Sequence, residues 1–207
     1  MIKLLDEATI QKISAGEVIE RPASIVKELY ENAIDADADE IQLEIVEGGK
    51  KSILMSDNGI GIESDQIELA FERHATSKIT SFEDLYHSYT MGFRGEALAS
   101  VRAVANVNIR SKSENEDIGS FLSYENNKLV KRSKIAMNTG TIISIDKLFE
   151  NIPVRKKFLK SSISEANQIT DLISKLALGK DEISTKYTKD DKLIFHTKKE
   201  DSHLEKV

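Results

Sequence analysis

The chain has 207 residues, 40% hydrophobic and 31% charged, which suits one packed domain rather than a disordered chain. It has no cysteine, so disulfides, thiolate zinc sites and cysteine nucleophiles are excluded. The net charge of −6 argues against tight DNA binding by the domain as a whole, though a local basic patch stays compatible with it.

Residues 1–20 read as a leading arm. Ala8 to Ile13 suits a short helix, and Ala15-Gly16-Glu17-Val18-Ile19 reads as its break. No basic stretch followed by an apolar core opens the chain, as a secretory signal would require. With no membrane-length apolar run and no cysteine, the expected compartment is the cytoplasm. Arg21-Pro22 marks the entry to a helix from Ser24 to Ala36, with Ser24 as its N-cap. The run Asp35-Ala36-Asp37-Ala38-Asp39 ends it. Ile41, Leu43 and Ile45 alternate with polar residues as a strand, Gly48-Gly49 supplies a hairpin turn, and Ile53-Leu54-Met55 returns.

Ser64 is expected to cap a short helix through Phe71, and Ser81 to Tyr86 to form another helical turn. Met91-Gly92-Phe93-Arg94-Gly95-Glu96 is a Gly-rich loop opening onto a helix from Glu96 to Val104. Strands follow over 106–112, 118–125, 128–134 and 140–145, with Asn126-Asn127 as a turn. Ser164 reads as the cap of a long helix to about Leu178, with Ile169, Leu172, Ile173 and Leu176 on one face. Glu182 to Thr197 reads as a last hairpin, with Lys189-Asp190-Asp191-Lys192 at its tip. Phe158-Leu159 reads as core, and the cluster Arg155, Lys156, Lys157 and Lys160 as a solvated face with one or two ion pairs. The four histidines show no metal-ligand spacing. This layout is an α+β domain, one sheet with helices on one face.

The chemistry gathers in 24–61. Glu28, Asn32 and Asp35 follow one another at spacings of four and three, which places them on one helical stripe. A carboxamide oxygen is a hard ligand suited to Mg²⁺, and a carboxylate one turn away suits a general base. An exposed polar face fits the same spacing equally well. In Asp57-Asn58-Gly59-Ile60-Gly61, the two glycines allow a tight turn and close approach to a ligand. Asp57 there is either an acceptor for an adenine amino group or a plain turn former. The loop Gly92 to Gly95 precedes a helix directly, so free amides and the positive helix end face whatever occupies it. A P-loop is absent: Gly48-Gly49-Lys50-Lys51-Ser52 lacks the earlier glycine and the following helix.

Several stretches together resemble the N-terminal ATPase domains of the MutL mismatch-repair family. They are Arg21-Pro22-Ala23-Ser24, Lys27-Glu28-Leu29-Tyr30-Glu31-Asn32-Ala33-Ile34-Asp35-Ala36, Asp57-Asn58-Gly59-Ile60-Gly61, His74-Ala75-Thr76-Ser77-Lys78-Ile79, Gly92-Phe93-Arg94-Gly95-Glu96-Ala97-Leu98, and Leu148-Phe149 through Asn151, Pro153, Arg155 and Lys157-Phe158-Leu159. That family shares a superfamily with DNA gyrase, a large heat-shock chaperone and the histidine kinases. The likeness covers about residues 13–180.

The resemblance implies a Bergerat-type fold, a mixed and mostly antiparallel sheet with ATP between it and the helices. It implies Glu28 as general base, Asn32 as Mg²⁺ ligand with Asp35 nearby, and Asp57 as the selector of adenine. Gly59 and Gly61 would shape the pocket, with Thr141 supporting the base. Thr76, Ser77 and Lys78 would form a lid over the triphosphate. Gly92, Phe93, Arg94, Gly95, Glu96, Ala97 and Leu98 would wrap its β- and γ-phosphates. ATP would close the lid and pair two subunits through the N-terminal arm, gating repair assembly on DNA at the nucleoid with mismatch-recognition partners. The expected organisation is an arm over 1–20 and one ATPase domain over 21–207. A further domain supplying a lysine to the γ-phosphate and a DNA groove is expected beyond Val207. Alternatives are a nucleotide-gated dimerisation module with negligible turnover, a topoisomerase-like ATPase and a histidine-directed kinase.

Overall fold

Strand alternation has built one sheet. The computed structural model describes residues 3, 4, 6, 10, 15, 18–73, 75 and 97–199. Its strands are β1 (Glu40–Val46), β2 (Ser52–Asp57), β3 (Asn106–Lys112), β4 (Gly119–Glu125), β5 (Lys128–Ile135), β6 (Gly140–Asp146), β7 (Ser184–Lys189) and β8 (Lys192–Thr197). They lie in the order β5-β4-β3-β6-β2-β1-β7-β8. Every neighbouring pair is antiparallel except β1 with β7.

Inward residues such as Ile41, Leu43, Ile45, Ile53, Met55, Val107, Ile109, Ile143 and Ile145 are buried in one core. The helices α1 (Pro22–Asp35), α2 (Ala97–Val104) and α4 (Ser162–Leu178) contribute to that core, while α3 (Pro153–Phe158) buries nothing. The α+β expectation of helices on one face is therefore met.

Helix α1 starts two residues earlier than expected, because Pro22 occupies the first helical position, where its missing N–H costs nothing. Arg21, extended at φ −157°, is the N-cap residue, and Ser24 sits inside the first turn. The other end closes as a Schellman motif. The Ala38 amide donates to the Ala33 carbonyl at 3.1 Å, and the Asp37 amide to the Ile34 carbonyl at 3.0 Å. Asp37 takes the left-handed conformation this needs, φ 56°, as its type permits. Tyr30 anchors the helix to β7 through a 2.7 Å hydrogen bond with the Thr185 hydroxyl. The Arg21 guanidinium donates to Gln168 Oε1 on α4.

Helix α4 is capped by Ser161 and not by Ser164. The Ser164 amide donates to Ser161 Oγ at 3.2 Å, which makes Ser164 the third helical residue. Glu165 reaches back to accept the Lys160 amide at 2.9 Å. Ile169 and Ile173 are buried, with Leu172 and Leu176 packed beside them, as the helical spacing predicts.

Three further expectations are corrected. Ser64 caps no helix: residues 64–68 are turns leading to a 3-10 turn at Leu69–Phe71, and the Ser64 amide bonds to Glu116 Oε1 at 3.2 Å. Within the expected break, Ala15 and Val18 are helical and the Ile19 amide donates to the Ala15 carbonyl at 2.8 Å, while Gly16 and Glu17 lie outside the described residues. Phe158 is 82% exposed, and only Leu159 of that pair packs on the core. The short α3 presents Phe158 and Val154 outward, four residues apart on one helical side. Lys156 pairs with Glu150 at 3.4 Å, in keeping with a solvated basic face. The expected helix over Ala8–Ile13 and the turn over 81–86 fall wholly or mostly outside the described residues.

The β1–β2 hairpin turns at Gly48, which packs against the first turn of α4. Its φ is +68°, and a Cβ there would meet the Ser162 carbonyl oxygen at 2.3 Å. Gly48→Ala is expected to cost at least about 2 kcal/mol, the left-handed penalty plus that collision with backbone. Urea unfolding checks this, with the exposed Lys51→Ala as control; equal midpoints for both variants would contradict the packing.

Candidate functional site

The sheet and α1 enclose a cleft with roughly 510 Å³ of empty space, part of it open to solvent. Two cross-strand rows make its floor. In the register of β2, β6 and β3, Met55 faces Ile143 and Ile143 faces Ile109, an apolar row. The next row is polar: Asp57 faces Thr141, and Thr141 faces Ser111. The wall is the α1 stripe Leu29, Asn32, Ala33 and Ala36, spaced by three, four and seven, with Leu98 from α2 and the turn at Gly61 and Ile62. A long apolar slot with a polar edge takes a flat ring that is apolar on its faces and polar on its rim.

Asp57 ends β2 inside this cleft. Its Oδ1 accepts the Gly59 amide at 3.0 Å and the Thr141 amide at 3.3 Å. Burial pushes its carboxyl above the ordinary carboxylate range, and the two amides hold it back only in part. Both recorded bonds use Oδ1, so Oδ2 has lone pairs to offer a ligand in the cleft.

The turn after Asp57 is fastened on three sides. Asn58 Oδ1 accepts the Asp39 and Glu40 amides at 3.0 and 2.9 Å, and its Nδ2 donates to Asp39 Oδ1 at 2.7 Å. The Ile60 amide donates to the Ala36 carbonyl at 2.9 Å, which fixes the turn on the end of α1. Gly61, at φ +71°, lies so close to β3 that a Cβ would meet the Lys112 carbonyl oxygen at 2.0 Å. The glycine freedom is thus spent on approach to the protein's own backbone as well as on lining the cleft.

Ser111, fully buried at the end of β3, ties the parts together. It accepts the Ile62 amide at 2.8 Å, donates to the Gly140 carbonyl at 3.1 Å, and lies 2.9 Å from Thr141 Oγ1. The sequence reading missed this residue. Its signal is present, since Val107, Ile109 and Ser111 are the inward positions of one strand and the last is polar.

Of the expected site residues, Asn32, Asp57, Gly61, Leu98 and Thr141 line one cleft, and Gly59 donates to Asp57 beside it. Glu28 is half-buried and Asp35 exposed, and neither lines the cleft. A rotation of about 100° per residue explains this: Leu29, Asn32, Ala33 and Ala36 centre the cleft-facing side, and Glu28 and Asp35 lie roughly a quarter-turn away. Asn32 is where that wall meets the polar stripe. Ala97 begins the described part of α2. Thr76, Ser77, Lys78, Gly92, Phe93, Arg94, Gly95 and Glu96 lie outside the described residues. No group of three or more His, Cys, Asp or Glu side chains able to hold a metal occurs among the described residues.

This sheet, helix and cleft define a nucleotide-dependent ATPase class. The chain belongs to the histidine kinase-, DNA gyrase B- and HSP90-like ATPase family, which it matches over residues 20–157. Within that family it falls among the MutL ATPase domains. It is 50% identical over 196 residues to the DNA mismatch repair protein MutL of Caldanaerobacter subterraneus, an alignment covering 95% of this chain and 33% of that protein. It is 52% identical to that of Thermoanaerobacter pseudethanolicus over 95% of this chain and 32% of that protein. The chain therefore spans about a third of the length of these relatives. Among solved structures, the Aquifex aeolicus MutL ATPase domain complexed with ADP superposes with a TM-score of 0.76 at 30% identity, over 91% of this chain and 68% of that one. The N-terminal domain of a DNA repair protein superposes with a TM-score of 0.79 at 28% identity, over 95% of this chain and 58% of that one.

The raised Asp57 carboxyl has a consequence without any ligand. Its protonated form is favoured by folding, so its contribution to stability is complete below the unfolded carboxylate range, about pH 4, and is lost as pH rises through the raised native value. Asp57→Asn keeps the amide acceptor and cannot ionise. Its stability relative to wild type is expected to increase with pH when urea unfolding is measured at pH 4, 6 and 8 without nucleotide. A difference that stays constant with pH would contradict the burial account.

Proposed function

We propose that this cleft binds ATP and that the chain hydrolyses it slowly, as the ATPase part of a mismatch-repair protein. One observation carries this reading: the polar row Asp57–Thr141 borders the apolar row Met55–Ile143–Ile109 under a helical wall. The purine face lies against the apolar row and the helix side chains Leu29 and Ala33. Its exocyclic amino group donates to Asp57. The Aquifex aeolicus MutL ATPase domain, solved complexed with ADP, supports nucleotide binding by this fold.

Toward the phosphates the chain offers Asn32 and Glu28. A single carboxamide suits a cation that keeps waters and shares its other ligands with phosphate oxygens, which is the habit of Mg²⁺. When bound, Mg²⁺ would neutralise phosphate charge and hold the chain of phosphates in register. Glu28, one turn before Asn32, orients the attacking water and accepts its proton on the carboxylate. Phosphoryl transfer asks for little more than such positioning and charge compensation. The family resemblance assigns the lid to Thr76, Ser77 and Lys78 and the phosphate cradle to Gly92 to Leu98, with the exposed Asp35 beside the Glu28–Asn32 stripe.

In the whole protein, lid closure drives pairing of two copies, and hydrolysis releases them. That cycle gates assembly with mismatch-recognition partners on DNA in the cytoplasm, at the nucleoid.

Glu28→Ala is expected to slow single-turnover hydrolysis at least about 100-fold, the size of a lost general base, with unchanged binding of a non-hydrolysable ATP analogue. Equal rates for variant and wild type would remove Glu28 from the chemistry and leave a nucleotide-gated binding module.

A further inference from the structure

Ser111 has one proton and three partners. The Ile62 amide can only donate and the Gly140 carbonyl can only accept, so the third contact, 2.9 Å to Thr141 Oγ1, depends on where the Ser111 proton points. If it points to Thr141, the bond to Gly140 is lost. If it points to Gly140, Thr141 must donate to Ser111, and all three contacts are made at once. A fully buried hydroxyl favours the arrangement that satisfies every neighbour.

That arrangement has a consequence in the cleft. With its proton committed to Ser111, the Thr141 hydroxyl offers only lone pairs on its cleft side. Asp57, opposite Thr141 across the β2–β6 pair, also offers only lone pairs when ionised. Two adjacent acceptors call for a donor from the ligand, directly or through one water. At position 6 a 6-aminopurine supplies it, whereas a 6-oxopurine sets a third acceptor there and carries its edge donor at N1–H instead.

We propose that Ser111 is a positioning residue for base selection: by taking the Thr141 proton, it makes the Asp57–Thr141 edge accept a 6-amino group and reject a 6-oxo group. This rests on the reading of the cleft as a purine-nucleotide site. Removing the Ser111 hydroxyl frees the Thr141 proton, which then serves a 6-oxo group. A residue that only held the fold would weaken both bases alike.

The test is calorimetric titration with Mg²⁺ and the imido analogues of ATP and ITP. Wild type is expected to prefer the ATP analogue by about tenfold or more, the usual cost of a mispaired polar group. Ser111→Ala is expected to bind the ITP analogue several-fold more tightly than wild type does, which narrows the preference. Ser111→Thr, which keeps the hydroxyl, restores the wild-type ratio. Equal weakening of both analogues by Ser111→Ala, or an unchanged ratio, overturns the relay and leaves the purine site standing. Should Ser111→Ala fail to fold, Thr141→Val decides. It removes the controlled hydroxyl, so its preference is expected to fall by loss of ATP-analogue affinity alone, and an unchanged ratio overturns the proposal. A wild type that binds both analogues equally, or neither, overturns the base reading and the relay with it.

Discussion

A buried carboxylate at the end of a central strand is the constraint on which this fold turns. Asp57 sits at the floor of the cleft with burial raising its pKa and two backbone amides opposing that rise. Those amides exist in the right place only because β6 pairs with β2 in a register that sets Thr141 opposite Asp57, and because the chain turns at Gly59. The turn is held in turn by Asn58 on the α1–β1 loop, by the Ala36 carbonyl and by β3. Elements distant in sequence thus converge on one carboxylate, which is unfavourable to bury until something donates to it.

The same geometry explains why the wall is made of small and medium side chains. Ala33 and Ala36 on α1 leave room above Met55, Ile109 and Ile143, and a larger residue there would close the slot. The Schellman end of α1 delivers the chain into β1 beside Asn58, so the wall and the floor are coupled by a few residues of backbone. Stability and site are not separate features here, since the turn that positions Asp57 also joins the helix to the sheet.

Much of this was legible in the sequence. Period-two strands, the long amphipathic α4, the Gly48 and Asn126-Asn127 turns and the last hairpin stand where the patterns place them. Helix starts were less legible, because both helices begin beside several plausible caps. Pro22 at the first helical position displaced Ser24 from the role of cap, and Ser161 claimed the one expected for Ser164. Phe158 misled because apolarity says nothing of which side a one-and-a-half-turn helix shows to the core. In the site, local spacing placed Asn32 and Asp57 on the cleft, while Glu28 and Asp35, which share a helical stripe with Asn32, lie roughly a quarter-turn from the centre of the cleft-facing side. Ser111 went unseen because its importance lies in strand register, with Thr141 thirty residues away, and register is set by the fold as a whole.

Family membership gives an ATPase domain, and the cleft offers the acceptor edge that the proposed reading assigns to a purine amino group. The measurement that bears most directly on this is calorimetric titration of a non-hydrolysable ATP analogue with Mg²⁺ into wild type and Asp57→Asn. Asn retains the acceptor for the Gly59 and Thr141 amides but turns an acceptor into a donor toward the base, so affinity is expected to fall at least about tenfold. Unchanged affinity in a folded variant would contradict the assignment of this cleft.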